Sequence, residues 1–175
     1  MVERSAAAGS RSRSDQTKSI TTLKKTTGRL FVVKRSGIHG KGGFAVQSIP
    51  KGTRLIEYKG EIITWATVNR RYPDDEGPGQ NHTFLFEVDD KRVIDANVGG
   101  NSARWLNHSC TPNCEAVGED DRIFIESIKP IKPGEELLYD YNIQLPKRHT
   151  PALKRRYLCQ CGTRRCRGTI LGKKR

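Results

Sequence analysis

A mainly β domain with little helix is predicted for this chain, and three observations predict it. Apolar residues come in short β-rich runs instead of long periodic stretches. Those runs are separated by Gly, Pro and Asp clusters, and a helix start and stop brackets only a short window near residue 65. No apolar run approaches the ~18 residues that a membrane-spanning helix needs, and no secretory h-region is visible, so no membrane partner is expected.

The elements follow in order. Residues 1–28 are rich in Ser, Thr, Lys and Arg without a sustained apolar period and read as a basic flexible arm. Order is expected to begin with a β-rich run over 30–33. A glycine turn, Gly37-Ile38-His39-Gly40-Lys41-Gly42-Gly43, leads from it to Phe44-Ala45-Val46. Pro50-Lys51-Gly52 is a turn before a strand over 54–58, and 61–63 form a further strand. Thr64 caps a short helix over 65–71 that Pro73 ends, with Trp65 as a packing residue. Residues 74–81, acidic and rich in Gly and Pro, read as a loop. Strands over 84–88 and 93–94 flank the turn Asp89-Asp90-Lys91. A last strand over 122–128 runs into the turn Lys132-Pro133-Gly134.

The net charge of +13 is unevenly spread. Residues 1–35 hold nine Lys/Arg against two Asp/Glu, 36–145 hold twelve against seventeen, and 146–175 hold eleven against none. An acidic body thus carries two basic ends. The ends read as solvated tails or as non-specific contacts to nucleic acid. The body suits a Lys-rich peptide through long-range complementarity.

Chemistry concentrates in three places. Arg104-Trp105-Leu106-Asn107-His108-Ser109-Cys110-Thr111-Pro112-Asn113-Cys114 and Gly134-Glu135-Glu136-Leu137-Leu138-Tyr139-Asp140-Tyr141-Asn142 crowd polar groups and turn formers where a structural element would show a clean apolar period. An amide such as Asn107 both donates and accepts, which suits a bound amino-acid moiety; the alternative is that Asn107 and His108 close a turn. Tyr139 and Tyr141, two apart, read either as a packed strand face or as the walls of a channel for an amine. The third place is Cys159, Cys161 and Cys166. Five cysteines leave one over in any all-disulfide scheme, and three within eight residues read as a metal site needing a fourth ligand, Cys110 or Cys114. Redox thiols beside Arg164 and Arg165 are the alternative.

Taken together and in this order, these motifs resemble those of SET-domain protein-lysine methyltransferases with a post-SET zinc segment, over residues 30–172. The resemblance implies a β-clip-like fold: small sheets around a pseudoknot-like crossing of the carboxyl-terminal segment, with a SET domain over 29–145 and a basic zinc segment over 146–175. It implies S-adenosylmethionine as cofactor, held by Gly40, Lys41, Gly42, Phe84, Arg104, Asn107 and His108. Tyr141 is then the principal catalytic residue, and Tyr139 limits how many methyl groups fit. Zinc is assigned to Cys110, Cys159, Cys161 and Cys166, with Cys114 a free thiol. Two positions depart from the family pattern. Phe84 stands where a tyrosine is usual and lacks its hydroxyl; Gly43 replaces an apolar residue and loosens the cofactor wall.

The implied reaction is methylation of a lysine in a histone tail or other basic protein, the peptide pairing with a sheet edge near 82–90. The rival readings are a non-catalytic zinc-stapled module that binds nucleic acid or chromatin, and a methyltransferase for a non-protein amine. A stand-alone protein of this kind would be nuclear in a eukaryote, or cytoplasmic or an exported effector in a bacterium. His39 and His108 are expected to be turn and hydrogen-bonding residues and not bases; His82 and His149 carry no readable role.

Overall fold

The computed structural model describes residues 28–73, 84–145 and 148–173. The arm up to residue 27, the loop expected over 74–81 and His82 lie outside the described residues. Three small sheets make up the body. β1 (Phe31–Arg35) and β2 (Lys41–Ala45) form an antiparallel hairpin with Phe31 opposite Ala45 and Arg35 opposite Lys41. β4 (Glu61–Thr64), β5 (Leu85–Glu87) and β6 (Arg92–Asp95) form an antiparallel sheet with β6 at its centre and β5 on an edge. The largest sheet runs in the order β3 (Arg54–Glu57), β9 (Arg122–Ser127), β8 (Cys114–Glu119), β10 (Leu138–Tyr139), β7 (Asn107–His108).

The glycine turn is shorter than expected. Residues 41–43 belong to β2, and the reversal is confined to 36–40, where the Ser36 N–H donates to the Gly40 carbonyl (2.9 Å) and Gly40 takes φ +46°. Gly43 is a packing position, because a Cβ there would overlap Leu106. Leu106 and Phe31 fill the space, so the wall that was expected to be loose is closed.

Helix α1 (Trp65–Arg71) starts as its sequence predicts, with Thr64 Oγ1 accepting from the Thr67 N–H at 3.3 Å. It buries Val68 against Ile63, Leu85 and Val93, with Trp65 and Tyr72 alongside. Among the elements not expected are β8, which pairs with β9 over six residues, and α2 (Pro151–Arg156), capped by Thr150 with Pro151 in its first turn.

One topological feature positions the site. The two-residue strand β10 lies parallel to both of its neighbours, between β7 and β8, so residues 109–113 arch over it. Asn113 clamps the inserted segment from both sides: its amide nitrogen donates to the Glu136 carbonyl and its oxygen accepts from the Leu138 N–H, each at 2.8 Å. Ser109 N–H donates to the Tyr139 carbonyl at 3.1 Å. This insertion is the crossing that the resemblance implies.

Beneath it lies the main core, in which Ile49, Ile125, Ile131 and Leu137 are fully buried. Each such side chain contributes roughly 1.5–3 kcal/mol by leaving water. A smaller cluster of Ile143, Leu145, Tyr157 and Leu171 holds the carboxyl-terminal tail. Among the described residues no helix is long and apolar enough to cross a membrane.

Candidate active site and thiol centre

A cavity of about 580 Å³ opens between the glycine hairpin, the 104–108 segment and the tail. That volume lies within the range of small-molecule sites. Gly40, Lys41, Phe84, Arg104, Asn107, His108 and Tyr141 all line it. Gly42 and Tyr139 stand back from it: Gly42 faces the Glu136 carboxylate, and Tyr139 lies in the main core.

One wall is aromatic. Phe84 meets Trp105 edge to face with ring centres 5.0 Å apart. Lys41 Nζ and the Arg104 guanidinium each lie 4.7 Å from the centre of the Trp105 ring, close enough for cation–π attraction. Arg104 is held by donating to the Ala96 carbonyl at 3.0 Å. Phe84 therefore supplies an aromatic wall, as expected, without the hydroxyl of a tyrosine.

Asn107 is buried, and its amide nitrogen meets three acceptors: the carbonyls of His39 (3.2 Å) and Lys41 (2.9 Å) and Glu136 Oε1 (2.9 Å). With the nitrogen so engaged, the amide oxygen is the atom left to accept from a ligand. A cavity with an aromatic wall and a buried acceptor fits the purine and the α-ammonium of S-adenosylmethionine. Of the alternatives left open by residue type, Asn107 does more than close a turn.

His108 links the site to the thiols. Its Nδ1 accepts from the Tyr141 N–H at 3.1 Å, so Nε2 carries the proton and points at Cys110 Sγ, 3.4 Å away. Burial pushes this histidine down to about 4, against the pull of Asp140, so the ring is neutral at physiological pH. The Tyr141 hydroxyl donates to the Leu106 carbonyl at 2.9 Å, and burial raises its pKa. Tyr139 packs 4.9 Å from Tyr141, ring to ring, and 6.4 Å from Phe86, which in turn lies 5.2 Å from Tyr58. Burial raises the Tyr58 and Tyr139 hydroxyls as well. The two tyrosines of the 139–141 pair are thus both a packed face and part of a protonated phenol cluster.

The sulfur atoms of Cys110, Cys159, Cys161 and Cys166 lie within 4.8 Å of one another. Cys110 is 3.7 Å from Cys159 and 3.9 Å from Cys166. Zinc–sulfur bonds of about 2.3 Å in a tetrahedron require sulfurs about 3.8 Å apart, so these four fit a closed structural zinc site. Burial alone would raise the Cys161 thiol, but hydrogen bonds from Thr163 and its neighbours outweigh this and lower it, whereas burial raises Cys110 and Cys159, so thiolates at all four positions would need a bound cation. Cys114 lies outside the cluster, 1 % exposed, with burial raising it to about 12.

A zinc joining Cys110 to the tail was expected to fold residues 159–166 over the cofactor and substrate channel, but sequence reasoning named none of the tail side chains that line the cavity. Arg155, Arg156, Leu158, Gln160 and Ile170 line the cavity, and Arg167 grips Asp140 with two bonds of 2.6 and 2.7 Å. Burial alone would raise the Asp140 carboxyl; Arg167 outweighs it and holds the group below the usual range. Nothing in the linear order signals these pairings, since 27 residues separate Arg167 from Asp140.

Comparison with known proteins places the chain in a class. The SET domain family model matches residues 40–142, which take in β2, the 104–114 string and both tyrosines. The chain belongs to the SET domain family. It is 40% identical over 152 residues to a histone-lysine N-methyltransferase, trithorax, of Drosophila virilis, covering 83% of this chain and 4% of that protein. It is 38% identical over 149 residues to histone-lysine N-methyltransferase 2B of Homo sapiens, covering 83% and 5%. With an H3 lysine-4 specific histone-lysine N-methyltransferase of Mycosarcoma maydis the identity is 39% over 137 residues, covering 76% and 9%. The chain therefore spans less than a tenth of the length of each of these relatives.

Proposed function

We propose that this domain transfers a methyl group from S-adenosylmethionine to the ε-amine of a lysine in a histone tail or other basic protein. The observation that carries the reading is the cavity itself: Asn107, His108 and Tyr141 bound it on one side and the thiol-held tail on the other. S-adenosylmethionine, when bound, supplies a methyl carbon made electrophilic by the attached sulfonium.

The chain's own residues account for the rest. A free lysine has a pKa near ~10.4, so only its neutral minority can attack. Tyr141 is no base, because burial holds its phenol protonated. The lysine proton must leave to solvent before the amine enters, and the apolar surroundings of Tyr58, Phe86 and Tyr139 favour the uncharged form. With the Tyr141 proton committed to the Leu106 carbonyl, the phenol oxygen presents lone pairs that orient an amine N–H. The free amine lone pair then points along the line of attack. In this reading Tyr139 limits space, supporting mono- or dimethylation over trimethylation. A zinc ion on the four thiols supplies a closed structural link between the 107–110 segment and the tail.

The substrate strand is proposed to pair with β5, an edge strand of its sheet, next to the acidic turn at 89–90. The boundaries follow as a SET domain over 29–145 with a zinc segment over 146–175, and the setting as chromatin in a nucleus, in keeping with the names of the relatives. Exposed Lys154, Arg155, Arg164, Arg165 and Lys173 support additional salt-sensitive contact with nucleic-acid phosphates.

Incubating the protein with radiolabelled S-adenosylmethionine and histones, ribosomal proteins or a lysate tests this. A labelled lysine, identified by mass spectrometry with its methyl count, is expected. Intact cofactor binding without any labelled protein would refute protein methylation.

A further inference from the structure

Glu136 takes no part in the reaction outlined above and does not line the cavity, yet its carboxylate holds Asn107, which does. We infer that Glu136 is a positioning residue for the amino-acid end of the cofactor: it fixes the rotation of the Asn107 amide so that the oxygen, and not the nitrogen, faces the ligand's α-ammonium. The inference rests on the cofactor reading and deepens it.

The geometry is explicit. Glu136 Oε1 accepts from Asn107 Nδ2 at 2.9 Å, and its other oxygen accepts from the Ser36 hydroxyl at 3.0 Å. The remaining neighbours of Nδ2, the His39 and Lys41 carbonyls, belong to a hairpin turn whose position follows the β1–β2 register. A carboxylate is an acceptor only, so the amide rotated by half a turn would set oxygen against oxygen at this position. Glu136 is also the only charged group among the three acceptors, and a charge-assisted bond is roughly twice as strong as a neutral one.

The seat for this carboxylate is prepared by other residues. The backbone of Glu136 forms a bridge with Phe44 of β2, Leu137 N–H donates to the Gly43 carbonyl (2.8 Å), and Asn113 Nδ2 holds the Glu136 carbonyl (2.8 Å). Gly42 completes it: any Cβ at this position would overlap Glu136 Oε1 and lie 3.0 Å from Ser36 Cβ. That accounts for a glycine that stands at the cofactor wall without lining the cavity. Its contribution is to leave room for the carboxylate that orients Asn107.

Cofactor recognition is thereby divided in two. Adenosine is met by the Trp105 side and the amino-acid end by Asn107, so loss of Glu136 damages one and spares the other. The test is calorimetric titration of the zinc-loaded full chain with two ligands: S-adenosylhomocysteine, which keeps the α-ammonium, and 5′-methylthioadenosine, which lacks the amino-acid end. Glu136→Ala is expected to weaken S-adenosylhomocysteine about 10- to 100-fold while leaving methylthioadenosine within about 2-fold. Glu136→Gln, whose side-chain carbonyl can still accept, is expected to recover most of the loss. Gly42→Ala, which displaces the carboxylate from a neighbouring strand, is expected to reproduce the selective loss and serves if Glu136→Ala fails to fold. Equal weakening of both ligands, or unchanged S-adenosylhomocysteine affinity in both alanine variants, overturns the inference while the cofactor reading stands. A wild-type chain that binds neither ligand overturns both.

Discussion

The sheet body and the cysteine-rich tail are stabilised by different physics, although both build one cavity. The body hides Ile49, Ile125, Ile131 and Leu137 completely and carries regular ladders such as the six-residue pairing of β8 with β9. The tail's helix α2 buries no residue at all. Four apolar side chains, four thiols and the Arg167–Asp140 pair hold this region in place. A segment with so little core borrows its order from cross-links. Asn107, His108 and Tyr141 of the body line one side of the cavity, and Arg155, Arg156, Leu158, Gln160 and Ile170 of the tail line another.

The largest effect expected from this contrast comes from metal removal. A chelator should abolish methyl transfer and expose residues 148–173 to protease, while circular dichroism reports an intact β body. Undiminished turnover in the metal-free protein would show that the tail closes without its staple. Next, Tyr141→Phe should lower turnover by about 100-fold or more, with S-adenosylhomocysteine affinity retained, because it removes the oxygen that aims the amine. A purely packing role would be indicated by a shift in melting temperature with normal turnover.

Ile125→Ala probes the other region. Leaving a hole in the main core should cost about 2–5 kcal/mol of unfolding free energy in denaturant titration, with the same loss whether or not zinc is present. A zinc-dependent loss would mean that the two regions unfold as one unit. The smallest effect belongs to Arg167→Ala. Asp140 and Arg167 are part-buried, with side chains about a third and a fifth exposed, so solvent screens the pair. A loss of about 1 kcal/mol is expected, read as earlier protease cleavage of the tail and a modestly raised KM for the cofactor. Insensitivity on both counts would leave the thiols and the apolar cluster as the ties.

Legibility in the sequence followed the range of each interaction. Helix α1 was readable because Thr64 and Pro73 bracket it locally, and β9 because its apolar run stands between the acidic stretch at 119–121 and the turn Lys132-Pro133-Gly134. The four thiols were found through crowding in one segment and a motif in the other. β8 was hidden because Glu115, Gly118 and Glu119 break the alternation, and only its partner strand makes it a strand. For α2 the local signal was present in Thr150-Pro151 but unread amid the charge. The seat of Glu136, the grip of Arg167 and the tail's share of the cavity depend on contacts across 27 to 100 residues, which no local pattern encodes. Gly42, read as a cofactor contact, stands back from the cavity, and a Cβ there would overlap the Glu136 carboxylate.

The placement of β10 also bears on when the protein can work during its own maturation. Its two residues find partners on both flanks only after the strands at 107–108 and 114–119 have already been brought side by side with a gap between them. Distant pairings of this kind form late, since loop closure opposes them until the surrounding framework exists. Tyr139 and Tyr141 arrive with that final insertion. A chain arrested before that insertion would keep the strands at 107–108 and 114–119 but lack the Tyr141 side of its cavity.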